Sequence, residues 1–162
     1  MSAYEAAEWT DLFVASAGAS AALTGLIFVA VSINVERIIE FKGLPERAAA
    51  QVLILLGVLI VSLIALIPGQ STTALGLELL VEGLLVSVAA AWLTARSLAD
   101  SGGSSPGGRI SLAAIGTLPF VIAGTSLLLE TGGGLYWVVG GMVGAIVGAV
   151  LNAWVLLVEI LR

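Results

Sequence analysis

The chain has 162 residues, of which 59% are hydrophobic and only 10% charged, with a formal net charge of −5. A soluble domain carries about 25% charged residues, so this composition excludes a water-soluble domain and points to a polytopic membrane protein. It contains no Cys and no His, which excludes disulfides, thiol chemistry, histidine acid–base catalysis and the usual zinc ligand sets, and six basic residues against eleven acidic ones leave no footprint for nucleic acid.

The opening stretch MSAYEAAEWTDLF carries Glu5, Glu8 and Asp11 but no basic residue. A cleavable signal peptide needs a positive start, so none is expected. A first span is predicted over residues 10–34, close to the ~20 residues that cross a ~30 Å hydrocarbon core. Two patterns share it. Ser16, Ser20 and Thr24 form a line at i, i+4 spacing, while Ala15, Gly18, Ala22, Gly25, Val29 and Ser32 form a small-residue seam suited to a close left-handed crossing.

Glu36, Arg37, Glu40, Lys42, Glu46 and Arg47 then mix both signs, as solvated helix ends do, and Arg37 and Lys42 could touch anionic head groups. Pro45 suits the first turn of a second span, over residues 45–67, which Pro68-Gly69 ends. This span is nearly all Leu, Ile and Val and is expected to face lipid.

The third span, residues 74–95, holds Glu78 and Glu82. Its ten Leu and Val each favour insertion by about 0.3 to 0.6 kcal/mol, and each acid opposes it by up to about 2.5 to 3.5 kcal/mol at the centre. The sum is close to zero, so the helix needs its neighbours and the acids should face protein or water. Four residues apart, they share one face. Two carboxylates there cannot both ionise comfortably: one holds a proton, or a cation sits between them. The plainer alternative is that Glu78 is interfacial and Glu82 hydrogen-bonds a neighbouring helix. Continuing the stripe gives Leu85, Ala89 and Trp92, so the inner half is dry and one chain alone makes no continuous pore.

Residues 101–108, SGGSSPGG, read as a flexible cytoplasmic linker. The fourth span, residues 110–129, contains Pro119, expected to kink it, and Thr125 and Ser126 near its outer end. With Ser16, Ser20 and Thr24 these hydroxyls could line a polar cup, although membrane hydroxyls commonly bond their own helix instead. Thr131 and three glycines make a tight turn into the fifth span, residues 135–157. Gly140, Gly144 and Gly148 repeat every four residues, with Asn152 next in line. This tandem GxxxG pattern brings backbones together, either with another span or with another copy of the chain.

The architecture is therefore all-α: a single transmembrane domain over residues 1–162, a bundle of five spans. Five crossings place Arg37, Lys42, Arg47, Arg96, Arg109 and Arg162 on one side and no Lys or Arg on the other. The positive-inside rule then puts the N-terminus outside and the C-terminus in the cytoplasm. A four-span alternative, with residues 69–83 re-entrant, scatters the basic residues over both faces.

WTDLFVASAGASAALTGLIFVAVSINVERII, residues 9–39, resembles the opening of small polytopic integral membrane proteins of high-GC bacteria whose role is uncharacterised. The shared features are an aromatic–acid entry, an Ala/Gly-rich first span and a polar exit like Ser32-x-Asn34-x-x-Arg37. The resemblance implies a multi-pass protein of the bacterial cytoplasmic (inner) membrane and brings no activity or site residues.

No catalytic motif is present, so no enzyme is expected, and no cofactor or metal. The expected function is transport or permeation of a small cation or proton at Glu78 and Glu82, in a homo-oligomer. The alternative is a non-catalytic accessory or assembly subunit of a larger membrane complex, held through the glycine seams. The partners are lipid and other membrane chains.

Overall fold

The computed structural model describes residues 3–101 and 106–161. Among them every regular element is a helix: a 3-10 turn Ala6–Trp9, then α1 Thr10–Ile33, α2 Val35–Glu40, α3 Leu44–Ala65, α4 Thr72–Ser101, α5 Pro106–Leu129 and α6 Tyr136–Leu161. Five of the helices are long and apolar enough to cross a membrane, which makes this a multi-pass membrane fold. The shortest of the long helices, α3, has 22 residues and extends ~33 Å at ~1.5 Å per residue, about the hydrocarbon thickness.

The boundaries differ from expectation in two places. The short amphipathic α2, with Glu36, Arg37 and Glu40, turns the chain between α1 and α3. The expected linker over 101–108 is narrower, because α4 reaches Ser101 and α5 begins at Pro106. Proline costs nothing in a first turn, so Pro106 starts a helix here instead of breaking one. Residues 102–105 lie outside the described residues.

The helix α3 is the centre of the bundle. It packs against α1 on one side and against α4 and α6 on others. Of its apolar stretch 56% is buried, against 22% for the first span. The expectation that this helix faces lipid is therefore corrected. Its Leu, Ile and Val suit a lipid face and a protein core equally, because lipid tails are as apolar as Leu. What marks it as central is its small residues: Ala48, Ala50, Gly57, Ser62 and Ala65 are all buried and let neighbours approach.

Glycines set the closest crossings. A Cβ on Gly83 of α4 would lie 2.9 Å from the Val121 nitrogen of α5, and one on Gly124 of α5 would lie 2.5 Å from the Leu80 nitrogen and 2.8 Å from the Gly76 oxygen. These are backbone atoms, so α4 and α5 touch main chain to main chain. Between α5 and α6, a Cβ on Gly144 would meet the Ile115 carbonyl at 2.8 Å. Pro119, four residues on, has no N–H to donate to that carbonyl. Gly144 thus packs on the one turn of α5 whose hydrogen-bond ladder is open.

At one end of the bundle the N-terminal segment straps the helices. The Leu135 N–H donates to the Ala3 oxygen at 2.8 Å, the Thr72 hydroxyl donates to the Tyr4 oxygen at 3.3 Å, and the Gly133 N–H donates to the Tyr4 hydroxyl at 3.3 Å. Trp9 is buried and meets the Tyr136 ring edge-on at 4.8 Å. The turn that Ala3 and Tyr4 meet runs through Gly132, Gly133 and Gly134 at φ of 86°, 107° and 51°, a left-handed path that side chains resist.

Candidate functional site

Glu82 lies in the first half of α4 and is only 9% exposed. Neither carboxylate oxygen has a hydrogen-bond partner among the described residues. It packs against Gly57 of α3: a Cβ on Gly57 would stand 2.9 Å from Glu82 Oε1 and 3.2 Å from a methyl of Val86. Glycine at position 57 is what gives the carboxyl room between two helices in direct contact. A buried, unpaired carboxylate is costly in such surroundings, so the site calls for a neutralising species.

One turn toward the start of α4, ~6 Å along the axis, is Glu78. Its carboxylate accepts a hydrogen bond from the side-chain amide of Gln70, in the turn between α3 and α4. Gln70 also lines a cavity of about 600 Å³ together with Tyr4, Glu5, Thr10 and Thr72. The Gln70 carbonyl oxygen is buried without a partner. Cavity, Gln70, Glu78 and Glu82 thus follow in order from the end that carries the N-terminal segment into the bundle.

The hydroxyls do not assemble into a cup around these acids. Ser20 donates to the Ser16 oxygen at 2.7 Å and Thr24 to the Ser20 oxygen at 2.7 Å, each within α1. The α1 contact on α3 is made at Ile27 and Leu55. Leu55 and Gly57 point ~200° apart around the helix, so the α1 hydroxyls lie across α3 from Glu82. Thr125 donates within α5 to the Val121 oxygen at 3.1 Å. Ser126 donates to the Thr131 oxygen and accepts from the Gly134 N–H at 2.8 Å, which fixes the turn between α5 and α6.

The two small-residue seams have different fates. In α6, Gly144 packs on Ile115 and Gly148 approaches Leu112 at 3.5 Å, while nothing lies within 4 Å of a Cβ on Gly140. In α1, Gly18, Ala22 and Gly25 are exposed, and a Cβ on Gly18 or Gly25 would meet nothing within 4 Å.

A second polar cluster occupies the opposite half of the bundle. Gln51 of α3 is 3% exposed and donates to the Ala145 oxygen of α6 at 3.4 Å. Asn152 donates to Gln51 Oε1 at 2.7 Å and accepts from Arg47 Nε at 2.8 Å. Nearby, Arg109 donates to the Ser97 hydroxyl at 3.2 Å, which donates to the Gly43 oxygen at 2.6 Å. Between this cluster and Glu82, Ile54 of α3 and Phe120 of α5 are buried, while Ser87, Thr94 and Thr117 line a cavity of about 330 Å³ between α4 and α5.

Sequence reasoning singled out Glu78, Glu82 and Asn152 but missed Gly57, Gln70, Gln51 and Arg47 as their neighbours. A signal existed for Gln51, an amide inside a Leu, Ile and Val run. None existed for Gly57, because its role depends on which helix faces it. Comparison with protein-family models, curated proteins and solved structures finds no match.

Proposed function

We propose that this chain is a non-catalytic transport or permeation protein of a bacterial inner membrane, with Glu82 as the uptake site for a cation or proton and Glu78 as the station before it. The supporting observation is the Glu82 carboxyl, enclosed against Gly57 with both oxygens unpartnered. Uptake is from outside, through the cavity walled by Gln70. The N-terminus lies outside and the C-terminus in the cytoplasm, which places Arg47 and Arg109 inside. The stretch between Glu82 and Gln51 is completed as a route by movement of α3 against α4, or by a second copy of the chain.

The test is flux into liposomes holding the purified full chain. Proton or metal-cation entry is measured for wild type and Glu82→Gln. Entry that depends on Glu82 is expected. Wild-type liposomes no leakier than empty ones would overturn the proposal.

One observation favours the second reading, an accessory or assembly subunit. The face of α1 carrying Gly18, Ala22 and Gly25 is exposed, which suits a close crossing with a helix outside this chain. Co-purification with a stoichiometric membrane partner, with no flux, selects that reading.

A further inference from the structure

We infer that the species taken up at Glu82 is a proton and not a metal cation. The inference rests on Glu82 being an uptake site, as proposed above, and concerns what the site accepts.

A hard cation needs a shell of oxygens: Ca²⁺ takes about six to eight, and Mg²⁺ holds near-octahedral geometry. Among the described residues no group of three or more acids is placed to hold a metal ion. Hydroxyls do not make up the shortfall, since Ser20 and Thr24 stand on α1, across α3 from Glu82, and Thr125 is exposed on α5.

Intramembrane alkali-cation sites commonly use backbone carbonyls freed where a helix unwinds. Here α3 is continuous from Leu44 to Ala65 and α4 from Thr72 to Ser101, so at Gly57 and Glu82 the carbonyls are committed to helix bonds. The carbonyl that Pro119 opens, at Ile115, is turned to Gly144 of α6 and not to Glu82. A cation seated here would have the two carboxylate oxygens of Glu82 and, one turn away, those of Glu78, which already accepts from Gln70, fewer than the about six that a hard cation takes.

A proton needs no shell. It bonds covalently to one carboxylate oxygen and leaves a neutral acid, which matches the surrounding Gly57 and Val86. No electron moves, and the reverse step returns the carboxylate.

The charged neighbours fit the same reading. On α4 the nearest ionisable group is Glu78, one turn outward. On α3 the acid and base, Glu46 and Arg47, sit ~15 Å or more from Gly57 along the axis. On α5, Arg109 is likewise ~16 Å from Phe120. Glu5 lines the outer cavity. Among the described residues no cation therefore faces Glu82 from the elements packed on it, and a proton neutralises it without one.

The test is infrared difference spectroscopy on the full chain in lipid bilayers, stepping between acid and alkaline solution. A carboxylic-acid carbonyl band is expected in wild type. It should be lost in Glu82→Gln and retained, displaced, in Glu82→Asp, which guards against misfolding. Saturating Na⁺, K⁺, Mg²⁺ or Ca²⁺ should leave it unchanged. A metal that removes the band while Glu82 is intact overturns the proton assignment and leaves the uptake site standing. If neither pH nor metal changes any Glu82-dependent band, the uptake site itself fails.

Discussion

Gly57 and Glu82 share one contact: a methyl group placed on Gly57 would stand 2.9 Å from the Glu82 carboxyl oxygen. The two residues belong to α3 and α4 and are 25 positions apart in the chain. The hydrogen on one is the room for the other.

Gly57→Ala should fold, because the obstructing atom ends a flexible side chain and alanine favours the helix by up to about 1 kcal/mol. The carboxyl must move, and Val86 must yield by a few tenths of an ångström. Liposome uptake is expected to fall several-fold with thermal stability little changed. Gly57→Leu should instead lose about 1 to 3 kcal/mol through overpacking. Uptake in Gly57→Ala equal to wild type would show that the contact does not position Glu82.

Gly124→Ala and Gly18→Ala should behave oppositely. A Cβ at 124 meets the Leu80 nitrogen at 2.5 Å, and backbone cannot swing aside. A loss of about 1 to 3 kcal/mol is expected from the forced separation of α4 and α5. A Cβ at 18 meets nothing within 4 Å, so the monomer should be unharmed. Thermal unfolding in mild detergent compares the two. Native mass of Gly18→Leu then reports whether the α1 face joins chains.

Gln51 and Asn152 should be energetically coupled. Their bond at 2.7 Å ties α3 to α6 inside the bundle. Hydrogen bonds between transmembrane helices average about 0.6 kcal/mol and reach about 1.7 kcal/mol. A double-mutant cycle with Gln51→Leu and Asn152→Leu, read by unfolding, should return a value in that range. Additive losses would mean that the two side chains act separately.

The chain ends should lie on opposite sides of the membrane. Reporters fused before Ala3 and after Arg162 are expected to respond in different compartments, with the C-terminal one cytoplasmic. Both responding in one compartment would remove the outer access assigned to Glu78 and Glu82.

Composition and periodicity by themselves determined the class, the five helices and most of their limits. The reason is local: a helix that crosses lipid must satisfy its own backbone and present about 20 apolar residues, and both demands are written along the chain. The same local logic marked Glu78 and Glu82 as anomalies. Which helix is central, and what surrounds those acids, was decided only in three dimensions. In a membrane Leu faces lipid or protein at nearly equal free energy, so the apolar run of α3 carried no address. Small residues assign contacts only through the partner they meet. Gly57 received Glu82, Gly124 received the α4 backbone, and Gly18 received nothing, although all three are glycines in apolar helices.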